Sequence, residues 1–107
     1  MIAGDNEIKL KAIAVLTGMR SGVGPEYVSS LCAEVTPSTF CVPVGAGPEE
    51  VARATLEQLS GPWSELVNGF MLAFEAVADA YDSEAGRQGA AQEVLQHVAL
   101  ELAAQRE

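Results

Sequence analysis

"EIKLKAIAVL", residues 7–16, decides the fold, because it fits two periodicities at once. Apolar side chains stand at 8, 10, 12, 14 and 16, with Lys9 and Lys11 between them. That alternation is the pattern of a half-buried strand. The residue types argue the other way. Glu, Lys, Leu and Ala all favour helix, and Asp5 or Asn6 can cap one. On a helical wheel the apolar residues run nearly all round, and Lys9 falls among them.

Two architectures follow. In the first, mainly α, about four or five helices form a small bundle with an extended segment near 36–46. In the second, α+β, residues 7–16 and 38–44 are strands with a helix between them, and three helices follow. A lone two-stranded sheet is marginal in water, so the second version needs strands from another subunit. The helical version is therefore the expectation, as a single domain over 1–107.

The rest of the chain is read outward from that choice. "PEYVSSLCAEV", 25–35, is a short helix stopped before Pro37. "STFCVPV", 38–44, is β-branched and aromatic and holds Pro43, which suits an extended or edge segment. From Pro48, Val51, Ala52, Thr55, Leu56 and Leu59 share one face of an amphipathic helix. A second, strongly apolar helix is expected over 61–82, with Trp63, Leu66, Val67, Phe70, Phe74, Val77 and Tyr81 at three- and four-residue steps. "SEAGRQG" ends it, and the last helix, 90–105, is expected to pack through Ala91, Val94, Leu95, Val98 and Leu102.

Gly-x-Gly-Pro-Glu-x-Val occurs twice, at 22–28 and 45–51. A glycine-rich turn before a helix can cradle phosphate. Here proline removes a donor, Glu26, Glu49 and Glu50 would repel an anion, and neither loop holds the lysine of a nucleotide-binding loop. Helix entry accounts for each position instead. Gly24 and Gly47 suit the N-cap, Pro25 and Pro48 the first helical residue, and the glutamates the positive helix end. "GPWSE", 61–65, looks like a third start of the same kind.

The 107 residues carry a formal net charge of -9. That argues against nucleic acid, whose phosphates need clustered Lys and Arg. It suits solubility or a basic protein partner. The longest apolar runs are too short to span a bilayer, so no membrane association is expected. The first residues lack a basic start followed by an apolar stretch and cleavage site, and the expected location is the cytoplasm. Cys32 and Cys41 make no disulfide framework; two free thiols are the expectation, and a bridge between them the alternative.

No catalytic residue, metal ligand or cofactor is assigned. Glu93, His97 and Glu101 share a helix face at four-residue spacing, whereas carboxylate di-metal bundles use Glu-x-x-His and several helices. A small-ligand or metal-dependent enzyme would have to use Cys41 and His97, with no local signature around either.

Residues 74–96 resemble a tetratricopeptide hairpin, with Phe74, Val77, Ala78, Tyr81, Ala90 and Val94 at that repeat's spacing. His97 stands where that pattern has a small residue, and no second copy occurs. Length, acidity and the helix from Trp63 to Tyr81 resemble the small WXG-type proteins exported by actinobacterial type VII systems, which would imply secretion. Trp63 is followed by Ser64-Glu65 in place of Trp-x-Gly, and the acid of Tyr-x-x-x-Asp/Glu is displaced.

The functional expectation is a non-enzymatic protein–protein interaction or oligomerisation module. Its surface centres on Trp63, Phe70, Phe74 and Tyr81, and it takes a protein partner or a second copy, because that helix is too apolar for an ordinary surface position.

Overall fold

A computed structural model describes residues 4–105. They form four helices, α1 (Asp5–Arg20), α2 (Pro25–Val35), α3 (Pro48–Ala85) and α4 (Ala90–Ala104). The fold is mainly α, a small helical bundle, with no strand among the described residues. The contacts divide the chain into two compact units, Met1–Met71 and Leu72–Glu107.

The strand reading of 7–16 is overturned, because the segment lies within α1. Ile8, Ala12 and Val15 are its buried residues, a spacing of four and three that marks one helix face. Leu10, which a strand would turn the same way as Ile8 and Ala12, is 63% exposed. The N-cap is Gly4, where Asp5 or Asn6 was expected, and the Glu7 carboxylate accepts the Gly4 N–H at 3.3 Å. The place of Lys9 among apolar residues is also explained: its Nζ lies 3.2 Å from Glu65 Oε2 on α3. That oxygen is buried and the approach of Lys9 lacks hydrogen-bond geometry, so the contact is an ion pair only.

The core of the first unit is small. Ile8 and Ala12 of α1, Val35 of α2 and Leu66 of α3 cluster together, with Cys32 and Phe70 packed against them. The α1–α2 turn is built from the first repeated motif. Gly22 has φ 89°. The Gly22 N–H donates to Met19 O and the Val23 N–H to Gly18 O, the paired bonds of a Schellman helix end. Gly24 is the N-cap of α2 and Pro25 opens it, as expected.

The second copy repeats the arrangement without a preceding helix. Gly45 has φ 77° and lies in a turn closed by the Ala46 N–H to Pro43 O bond. Gly47 O accepts the Val51 N–H at 3.0 Å as α3 begins at Pro48. In both copies, then, the first glycine supplies a left-handed backbone and the second precedes the helix-opening proline.

The third start is overturned. Pro62 lies inside α3, which runs unbroken from Pro48 to Ala85 and joins two helices expected to be separate. Gly61 is not among the glycines with positive φ, so the backbone never leaves the right-handed region there. Proline removes one N–H and crowds the carbonyl four residues back, and α3 continues through it at that cost.

The strand reading of 38–44 is overturned as well. The segment has no ladder partner and is held by one side chain. Gln58 Oε1 accepts the Cys41 N–H at 2.9 Å, and Gln58 Nε2 donates to Cys41 O at 2.6 Å. The side-chain amide thus fills the place a neighbouring strand would take.

In the second unit, α3 ends in another Schellman arrangement. Gly86, with φ 73°, donates to Ser83 O, and Arg87 donates to Asp82 O. The Asp82 carboxylate then accepts from Gly89 N at 3.2 Å and Ala91 N at 2.8 Å. It caps α4 from the end of the preceding helix, a role that an N-cap side chain ordinarily fills.

Candidate interaction surface

All four residues expected to form the surface lie on α3. Trp63 and Phe70 belong to the first unit, and Phe74 and Tyr81 to the second. Within each pair the spacing is seven residues, two turns, which keeps both members on one side of the helix.

In the first unit, Trp63 is half exposed, and its indole Nε1 donates to Thr36 Oγ1 at 3.4 Å. This bond ties the ring to the residue that ends α2. Phe70 is half-buried against the Ile8, Ala12, Val35 and Leu66 cluster, so it supports the core of this unit as well as bordering its surface.

In the second unit, Phe74 and Tyr81 are exposed, and Val77 between them is 66% exposed. The face of α4 expected to pack, Val94, Leu95, Val98 and Leu102, is also exposed, each at 45% or more. Ala91 alone of that set is half-buried, while its neighbour Ala90 is fully buried. The packing expected of α4 is therefore corrected. Small residues at its start are covered, and the larger ones along it are not.

The charges of the second unit are arranged around one ion pair. Arg87 donates to both oxygens of Glu93, at 2.8 and 2.9 Å, in the bidentate geometry that suits guanidinium and carboxylate. The hydrogen bond and the charge of Arg87 hold Glu93 below the usual carboxylate range, and Glu93 raises Arg87 in return. Glu93 is thereby drawn away from the Glu93–His97–Glu101 stripe. His97 Nε2 lies 2.8 Å from Glu101 Oε1. Among the described residues no group of three or more His, Cys, Asp or Glu side chains is placed to hold a metal ion.

Cys41 is exposed in the first unit, and Cys32 is half-buried beside the core; both are free thiols. His97 lies on α4 in the second unit with Glu101 as its partner. Among the described residues, no helix is long and apolar enough to cross a membrane.

The Gln58–Cys41 clamp and the Asp82 cap were not expected from the sequence. Gln58 carries no local signal, since its partner is 17 positions away. Asp82 could have been found as an acid shortly before the glycines that precede α4. No family model matches the chain, and neither a curated protein nor a solved structure matches it.

Proposed function

We propose that this chain is a non-enzymatic interaction module that binds protein through apolar residues of α3, Trp63 and Phe70 in its first unit and Phe74 and Tyr81 in its second. One observation carries the reading. Phe74, Val77 and Tyr81 are exposed along the end of α3 while the buried apolar residues described are few, Ile8, Ala12, Val15, Val35, Leu66 and Ala90. Contiguous exposed apolar surface of that kind marks a site of association. The setting we propose is the cytoplasm, a reducing compartment that suits the free thiols of Cys32 and Cys41.

Sedimentation velocity over a micromolar concentration series, followed by titration with amphipathic helical peptides, tests the reading. Concentration-dependent association or peptide binding, weakened by Tyr81→Ser, is the expected result. A chain that stays monomeric and binds no peptide at high micromolar concentration overturns it.

A further inference from the structure

We infer that the occupant of the Phe74–Val77–Tyr81 stripe is a basic amphipathic helix of another protein, which deepens the interaction reading above and rests on it. The stripe follows the spacing i, i+3, i+7 on one side of α3, and its residues are 39%, 66% and 47% exposed. A partner helix meets such a stripe with apolar residues at the same spacing.

The charges choose between partners. At about 100° per residue, Glu84 lies within about 20° of the line of Val77, one turn beyond Tyr81, and Glu75 lies about 100° round the helix from Phe74. Both carboxylates are exposed. The described part of this unit, residues 72–105, holds Glu75, Asp79, Asp82, Glu84, Glu93 and Glu101 against Arg87 as its one Lys or Arg, and His97 is paired with Glu101. Arg87 is already committed to Glu93 in the bidentate pair. Among the described residues of the unit, the acids beside the stripe therefore have no Lys or Arg left to meet. A second copy would bring the same acids against them, and like charges set face to face oppose association. A helix with Lys or Arg beside its apolar positions supplies what is missing. Its cations can also lie over the exposed faces of Phe74 and Tyr81.

The test titrates the full chain with two synthetic helical peptides that share one leucine pattern, flanked by lysines in one and by glutamates in the other. Backbone NMR shifts are followed at 74, 77 and 81. The lysine peptide is expected to bind at least about tenfold more tightly, with shifts confined to the stripe, and to weaken as salt screens the charges. Glu75→Lys with Glu84→Lys, both at exposed positions, is expected to reverse the preference between the peptides. Equal binding of both peptides overturns the inference while leaving the interaction reading in place. So does a homodimer that covers the stripe. A monomer that binds neither peptide overturns both.

Discussion

Gly69 and Ala12 lie so close that a Cβ on the glycine would sit 2.7 Å from the Ala12 Cβ. Lys9 Cα would be at 2.9 Å from the same atom, and backbone cannot swing aside as a flexible side chain can. Gly69→Ala gains roughly 1 kcal/mol of helix propensity in isolation. Inserted here it overpacks the contact of α3 with α1, and a net loss of about 1–3 kcal/mol is expected. Urea unfolding followed by circular dichroism measures it, and an unchanged or raised midpoint would show that α1 and α3 do not meet at this glycine.

Pro62 gives the opposite expectation. It stands within α3 without the N–H that would bond to Gln58 O. Pro62→Ala restores that bond and is expected to stabilise the chain, by up to about 3 kcal/mol, the cost of proline in a helix interior. A fall in Tm would mean that proline is needed where it stands, as an opener of a separate helix would be.

Gln58→Ala removes both hydrogen bonds to Cys41 at once. A loss of roughly 1–3 kcal/mol is expected, at about 0.5–1.5 for each bond. The Cys41 amide should also exchange much faster with solvent, and that readout separates the clamp from a general loss of packing. Unchanged exchange at Cys41 would exclude the clamp.

Asp82→Ala takes away the carboxylate that accepts from Gly89 N and Ala91 N. The expected cost is about 1 kcal/mol, with fraying concentrated in the first turn of α4. Asp82→Asn keeps an acceptor and should cost less; equal effects from the two would point to charge at the helix end in place of the hydrogen bonds.

Acid titration follows from the Arg87–Glu93 pair. Glu93 is held below the usual carboxylate range in the folded chain, so the unfolded chain takes up its proton first as pH falls. The stabilisation from the pair is therefore present above the ordinary carboxylate range. It is lost as pH drops through the lowered folded value. Carbon-detected NMR of the Glu93 carboxyl should show the depressed midpoint, and Arg87→Gln should return it to the ordinary range.

The parts of this fold that were legible were those with local causes. Gly24-Pro25 and Gly47-Pro48 open helices because cap and first-turn chemistry acts over a few residues. Residues 7–16 carried both strand and helix signals, and the packing of Ile8, Ala12 and Val15 decides between them. Pro62 misled because Gly-Pro has the same local meaning whether a helix begins or passes through. What differs is whether the backbone leaves the right-handed region before the proline, and at Gly61 it does not. Gln58 was silent, since a glutamine reaching 17 positions back leaves no pattern in either segment. Of the surface residues, the helical register of Trp63, Phe70, Phe74 and Tyr81 could be read directly. That Phe70 also backs onto the core could not, because it depends on where α1 and α2 come to rest.

The Gln58 clamp also bears on which backbone groups this arm leaves open to another strand. "STFCVPV", exposed except at the half-buried Phe40 and rich in β-branched residues, is the kind of segment onto which a strand from another molecule can add. Such addition is templated by free backbone N–H and C=O groups. At Cys41 both are taken by one amide, and Pro43 offers no N–H at all. Gln58 thus withdraws the backbone of this arm from strand pairing at Cys41, and Gln58→Ala would return both groups to it.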